Sequence, residues 1–281
     1  MLTSTAVMLQ MAQNYGYAVG AFNVYNLEGV RAVVLAAEAE FSPAILQLHP
    51  AALEHGGKTL AEMCLASARQ TFVPMSVHLD HSASDDDIKT AMDMGLVSIM
   101  ADGSTLSYEE NVAFTGGVTA LVHSRDGTAE AELGRLTGAE DDLTVPENLA
   151  KFTDPAQAED FVSRTGIDAL AVCIGNVHGR YRGKPELDFE RLEAIRKKVS
   201  LPLVLHGASG LPADMIWRSI ELGVCKFNVN TEVRQAYIDA LRGRLTDSKD
   251  PDLLSMMQAA VVAMQGVVAS KIRLFGSSEK G

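Results

Sequence analysis

Short apolar runs alternate along the chain with longer stretches whose apolar residues recur at helical spacing, and the alternation repeats eight times. The runs at 18–24, 43–48, 73–79, 97–101, 128–133, 168–174, 202–206 and 224–229 have the length and apolar content of buried strands. Between and after them, 27–40, 58–70, 84–94, 107–123, 155–165, 188–198, 212–222 and 231–244 read as helices, and one more is expected at 253–273. Ser84 followed by Asp85, Asp86 and Asp87 shows the start signal, a side-chain cap and then carboxylates against the positive end of a helix. A polar segment, 134–153, with glycines at 134 and 138, reads as containing a mobile loop able to close over a ligand. Eight parallel strands joined through helices close into a (β/α)8 (TIM) barrel, here one domain over 1–281 with an extra C-terminal helix. The competing fold, an open doubly wound sheet, calls for an early Gly-rich phosphate loop that this sequence lacks.

A barrel makes a definite statement about the polar residues. Asn23, Asp80, His81, Asp102, Glu132, His178, His206, Asn228 and Asn230 all fall at C-terminal strand ends in this reading, the face on which such barrels carry chemistry. Three of the strands lead to a histidine: His81 after Val77-His78-Leu79-Asp80, His178 before Gly179, and His206 before Gly207. One histidine after a strand is ordinarily a satisfied polar residue. Three in equivalent places, each beside Asp or Gly, point to a metal held by three nitrogens with one position open, where a cation can polarise a carbonyl. His78 shares a strand face with Asp80 and reads as a supporting or core residue. His49, His55 and His123 read as loop or surface residues, with His49 near enough to strand two to reach a substrate. His206-Gly207-Ala208-Ser209-Gly210 offers small residues beyond strand seven, and Lys226 to Thr231 opens a helix beyond strand eight. Loops at these two places bind phosphate in many barrels. Glu140, on the polar segment, is a candidate acid–base group.

Charge and composition narrow the partners. A net charge of −12 argues against nucleic acid or an anionic membrane surface as the main partner. Cys64, Cys173 and Cys225 are far apart in apolar contexts, as expected of reduced core thiols in a cytoplasmic protein. The first seventeen residues have neither the basic nor the apolar region of a secretory leader, so none is expected. No uninterrupted apolar run approaches the ~20 residues of a membrane span.

Five stretches taken together carry a family resemblance: VHLDH at 77–81, EAELGRLTGAEDD at 130–142, GNVHGRY at 175–181, LVLHGASGL at 203–211 and KFNVNTE at 226–232. In this order they resemble the motif set of the class II, metal-dependent ketose-bisphosphate aldolases, and the likeness runs from Gly20–Asn23 to Lys271–Ser277. The resemblance implies that His81, His178 and His206 bind Zn²⁺, with Asp102 and Glu132 at a second or alternative divalent position. It implies that Asp80 exchanges the proton of the C4 hydroxyl, and that Glu140 handles the proton at the carbon that becomes an enediolate. Asn23, Gly179, Gly207, Ala208, Ser209, Asn228, Asn230 and Thr231 match substrate-binding positions, most of them around the dihydroxyacetone phosphate half, and carbonyls of Val177, Gly179, Gly207 and Ser209 match a Na⁺ or K⁺ position. Arg273 is a candidate for a second phosphate, reached across a subunit interface in a homodimer or homotetramer. The final helix, with Met256, Ala260, Met264 and Val267 at helical spacing, is a candidate interface and equally a candidate cap for its own barrel.

Chemistry independent of the family agrees. Retro-aldol cleavage leaves negative charge on a ketone oxygen, which a cation with neutral imidazole ligands offsets while a carboxylate takes the hydroxyl proton. Ser82, Thr105, Ala139 and Asn230 depart from residues common in the family, and these departures bear on the aldehyde half of the substrate. Two rivals remain at this point: a metal-dependent hydrolase on the same barrel, and a non-catalytic module of a larger assembly.

Overall fold

The computed structural model describes the chain except 141–142, 147–150, 180, 182, 248–249 and 251, together with the side chains of 139–140, 143–145 and 247. The strands are β1 (Val19–Asn23), β2 (Ala44–Leu48), β3 (Met75–Ser82), β4 (Ser98–Ala101), β5 (Thr128–Leu133), β6 (Thr137–Glu140), β7 (Leu143–Val145), β8 (Ala169–Val172), β9 (Val177–His178), β10 (Leu203–Leu205) and β11 (Val224–Val229). The helices are α1 (Thr5–Tyr15), α2 (Leu27–Ala39), α3 (Pro50–Gln70), α4 (Asp85–Asp93), α5 (Tyr108–His123), α6 (Pro155–Thr165), α7 (Phe189–Lys198), α8 (Ala213–Glu221), α9 (Thr231–Asp247) and α10 (Leu253–Leu274). Eight strands close a parallel barrel in the order β1-β11-β10-β8-β5-β4-β3-β2, which rules out the open sheet. The chain thus has the (β/α)8 architecture that the pattern of apolar runs predicts, with α10 added after the eighth unit.

Side-chain alternation sorts each strand into an outer and an inner row. Phe22, Leu46, Val77, Leu79, Ile99, Leu170, Leu205 and Phe227 belong to the core between barrel and helices. A smaller core fills the lower barrel: Val19, Ala21, Ile45, Met100, Ala171 and Val204 meet Met8, Leu9 and Ala12 of α1. α1 is therefore a plug across the N-terminal mouth, and each of its larger buried side chains contributes about 1.5–3 kcal/mol. It is the one long helix that the sequence reading does not include. Above this apolar floor the inner row turns polar, with Asn23, Gln47, His78, Asp80, Glu130, Glu132, His206, Lys226 and Asn228 all buried.

Other departures have identifiable causes. α3 begins at Pro50 rather than at 58. His49 caps its start, and a break at Gly57 (φ 57°) divides it just before the helix that the sequence predicts. The polar segment beyond 134 contains short strands, while 141–142 and 147–150 of it lie outside the described residues. β6 pairs antiparallel with β7 and parallel with β9, matching Gly138 to His178. A Cβ on Gly138 (φ 108°) would run into the His178 carbonyl oxygen, so this approach requires glycine. His178 accordingly lies on β9, beyond the end of β8, and not on a barrel strand. α10, though interrupted by polar residues, is long and apolar enough to span a membrane by length and composition. In the fold it packs with Ala260, Met264, Val268 and Ile272 buried, so two members of the proposed interface stripe face their own chain.

Candidate active site

The C-terminal ends of β3, β5 and β10, with β9, deliver four ligand atoms to one point. One atom each from His81, Glu132, His178 and His206 lies within 4.8 Å of the others, and all four residues are buried. Adjacent residues Asp80 and His81 both reach this point because the β3–β4 register shifts between Leu79 and Ser82. His81 sits at that shift with φ 41°, a left-handed backbone uncommon for a non-glycine residue. The bulge turns its ring inward beside Asp80, whereas strict alternation would send it to the outer face.

Two of the imidazoles have a partner that fixes which nitrogen faces the cluster. His81 donates from Nδ1 to Asp102 Oδ2 at 2.7 Å, leaving Nε2 inward. His206 donates from Nε2 to Glu130 Oε1 at 3.1 Å, because that carboxylate is ion-paired with Lys226 Nζ at 2.8–3.0 Å and can only accept. His81 Nε2, His206 Nδ1 and Glu132 Oε2 are buried and have no hydrogen-bond partner. Two imidazole nitrogens and a carboxylate oxygen without partners, converging in the interior, fit a divalent cation that displaces their protons. Asp102, expected as a ligand, lies outside this group; it is occupied by His81 and by the Ser104 N–H at 3.0 Å, so it orients a ligand.

The Asp80 carboxylate is clamped by three amides. Asn23 and Gln47 donate to Oδ2 at 3.2 and 2.9 Å, and Asn228 donates to Oδ1 at 3.1 Å. Gln47 also donates to Asn23 Oδ1 at 3.1 Å, tying β1 to β2. Burial alone would raise the Asp80 carboxyl, but the His81 and His206 imidazoles and Lys226 outweigh it and hold the group at about 2. Burial and the Asp102 charge push Glu132 up to about 8. Burial opposes a charged His81, yet Asp80 and the Asp102 hydrogen bond raise it well above the usual histidine range. Burial and the charges of His81 and Lys226 depress His206 well below that range. The carboxylate is thus ionised throughout the physiological range, and the cluster carries protons that a cation would displace.

Two cavities flank the cluster. The larger, about 550 Å³, is lined by Gly179, Tyr181, Ser209, Gly210, Thr231 and Glu232, among others. The second, about 290 Å³, lies on the side of His81 and Asp102. Gly207 (φ 67°) lets the loop after β10 press on the loop carrying His178, where a Cβ would meet the Val177 carbonyl oxygen. Ala208 N–H donates to Asn228 O at 3.3 Å, and Gly210 N–H to Glu232 Oε1 at 2.6 Å. Glu232 is in turn paired with Lys271 at 2.6 Å. Asn230 accepts from the Tyr25 hydroxyl at 2.8 Å.

The family profile described as class-II fructose-bisphosphate aldolase matches residues 3–280. The chain belongs to this family. It is similar to the YdjI aldolase of Escherichia coli K12, at 36% identity over 100% of this chain and 99% of that one, with a TM-score of 0.90. A putative fructose-1,6-bisphosphate aldolase of Coccidioides immitis is 35% identical over 98% and 97% of the two chains, with a TM-score of 0.93. The fructose-bisphosphate aldolase of Campylobacter jejuni shares the fold at 22% identity and a TM-score of 0.83, covering 100% and 97%. The chain is therefore a lyase of the class II aldolases, a metal-dependent group acting on phosphorylated sugars, and the hydrolase and non-catalytic readings fall away.

Within its own chain Arg273 is not beside the cluster, so the expected reach to a second phosphate would run to the site of another copy. α10 ends beside Ala18, at the N-terminal mouth of the barrel, and Arg273 pairs there with Glu40, at the opposite end from the cluster. His49 is buried and lines the smaller cavity, while His55 and His123 are exposed as expected. Glu140 ends β6, and its side chain lies outside the described residues. Sequence reading passed over Gln47, Glu130 and Lys226. Each is a polar residue inside an apolar strand, and Glu130 and Lys226 stand two positions before recognised site residues on the same inner row.

Proposed function

We propose that this aldolase splits and joins a ketose phosphate, using a zinc-type cation at His81, His178 and His206, with Glu132 as a further ligand. The observation that carries this reading is the set of orphaned inward atoms, His81 Nε2, His206 Nδ1 and Glu132 Oε2, beside a carboxylate held by three amides. The bound cation supplies positive charge where the substrate's ketone oxygen becomes anionic. Asp80 takes the C4 hydroxyl proton in cleavage and returns it in condensation, and Asn23, Gln47 and Asn228 keep its oxygens aimed. Gly179, Ser209 and Thr231, which line the larger cavity beside the start of α9, hold the phosphate of the dihydroxyacetone phosphate half together with Gly207, Ala208 and Asn230. Glu140 handles the proton at the carbon alpha to that ketone. A Na⁺ or K⁺ at the carbonyls of Val177 and Gly207 is supported by the close approach of those two loops. Exposed Ile238, Leu245, Leu253, Leu254 and Val262 on the α9–α10 arm support a homo-oligomer, which light scattering tests.

The functional test is coupled cleavage of fructose 1,6- and tagatose 1,6-bisphosphate, with EDTA and with zinc restored. Metal-dependent release of dihydroxyacetone phosphate is expected from at least one sugar. Release that survives complete chelation would overturn the metal assignment.

A further inference from the structure

The smaller cavity holds a cation that the reading above leaves without a task. Arg135 lies two residues beyond β5, and its backbone is fixed by a two-way bridge to Lys151 at 2.8 and 3.1 Å. It lines the cavity with His49, Asp87, Asp102, Ser104 and Thr105, beside the metal ligand His81. The Nε of Arg135 is buried and makes no hydrogen bond within the chain. Among the described residues the guanidinium enters no ion pair, although the cavity wall includes two carboxylates. An unsatisfied buried donor of this kind costs ~1–3 kcal/mol, so its retention calls for a ligand. Asp102 is spoken for by His81 and Ser104, and Asp87 sits in the exposed first turn of α4, its N–H donating to Ser84. An anion entering the cavity therefore meets Arg135 as its partner. The Ser104 and Thr105 hydroxyls and the His49 ring suit the hydroxyls of a sugar-like chain.

We propose that this cavity is the subsite for the aldehyde half, and that Arg135 selects aldehydes bearing an anionic oxyacid group, phosphate or carboxylate, a few carbons from the carbonyl. The proposal rests on the aldolase reading above. It follows from the division of the site: the larger cavity, with Gly179, Ser209 and Thr231, takes the phosphate of the ketone half, and the cavity on the His81 side remains for the other product. Arg273, the candidate the sequence offers for a second anion, lies at the far mouth of its own barrel. Guanidinium supplies a planar pair of donors that suits either oxyacid.

The test is condensation of dihydroxyacetone phosphate, by the zinc-loaded enzyme, with D-glyceraldehyde, glyceraldehyde 3-phosphate and succinic semialdehyde. These acceptors are uncharged, phosphorylated and carboxylated. The wild type should favour at least one anionic acceptor over glyceraldehyde, and which one separates phosphate from carboxylate. Arg135→Met should reduce that preference about 10–100-fold, chiefly through KM, and Arg135→Lys should regain part of it. A preference that survives Arg135→Met, or a loss shared equally by all three acceptors, overturns the proposal. If the wild type uses no acceptor yet exchanges the proton alpha to the ketone of dihydroxyacetone phosphate with solvent, the subsite is refuted while the aldolase reading stands. If that exchange also fails, both fall.

Discussion

Lys226→Met is the most informative single perturbation of this barrel. Lys226 and Glu130 are both buried in its interior, with Nζ 2.8 Å from one carboxylate oxygen and 3.0 Å from the other. At 2.8 Å, the mutual attraction is about 6 kcal/mol with an effective dielectric of ~20. Removing two ions from water costs several kcal/mol each, so the intact pair contributes little net stability. Deleting the lysine alone removes the attraction and keeps the buried carboxylate. The expected loss is about 3–5 kcal/mol, and at about 2–4 °C per kcal/mol for a chain of this size the Tm should fall by roughly 6–20 °C. Glu130→Gln combined with Lys226→Met leaves neither member of the pair charged, while a glutamine oxygen can still accept from His206 Nε2. The double variant should regain at least half of the loss. Reversible urea unfolding in EDTA is the suitable assay, since a bound cation would add its own stabilisation. The reasoning fails if Lys226→Met costs under about 1 kcal/mol, or if the double variant is no more stable than that single one.

Three further outcomes are expected. Asp80→Ala should keep its metal and lose most cleavage activity, whereas His206→Ala should lose both; metal content by atomic absorption separates the cases, and normal turnover in Asp80→Ala would remove it as the base. Gln47→Leu withdraws one of three amides from Asp80 and should lower kcat about 10–100-fold with little change in KM, from a lost charge-assisted bond of ~1.5–3 kcal/mol; an unchanged kcat contradicts the clamp. Glu132, held at about 8, and His81, raised well above the usual histidine range, must shed protons to bind a cation, so zinc affinity should fall as pH drops below about 8, by about tenfold per pH unit for each proton displaced. By the same linkage Glu132 adds stability to the apo protein below its ordinary value of 4.5 and loses it as pH rises through about 8. Calorimetry in buffers of different ionisation enthalpy counts the protons, and zinc binding at pH 7 with no proton release would contradict both shifts.

Much of the architecture was legible because its signals are local. Each barrel strand is an apolar run between turn residues, and Ser84 and Ser107 cap α4 and α5 through bonds to Asp87 and Glu110 N–H. The polar interior was legible as far as strand ends were examined. Glu130 and Lys226 needed one further step, extending the period-two row downward from Glu132 and Asn228, and Gln47 needed the same step two positions before His49. What stayed hidden depends on distant pairing. β6, β7 and β9 are short, and Gly138 joins His178 only once β5 and β8 have set their loops side by side. α1 lacks a strong apolar stripe, and its plug role exists only once a barrel mouth is there to close. Arg273 is basic and near the C-terminus in either case; the path of α10 down the barrel wall sets it at the far mouth of its own barrel.

The pairing of Asp80 with His81 shows why a correct site can be read from an incomplete reason. Both residues sit at the end of one apolar strand, which is enough to nominate them. Alternation, applied strictly, would allow only one to face the interior. The shift in register against β4 reconciles them, at the expense of a left-handed conformation at His81 that costs of order 1–3 kcal/mol for a non-glycine residue. Asp102 closes the arrangement. It lies just beyond β4, the strand against which β3 shifts, and its Oδ2 accepts from His81 Nδ1 at 2.7 Å, so the side chain that anchors the re-aimed ring follows the partner strand. The strained backbone, the bulge and the orienting carboxylate are thus one device. It places a proton-accepting oxygen and a ligand nitrogen from consecutive residues 3.9 Å apart, a closeness that two inward positions on a regular strand would not provide.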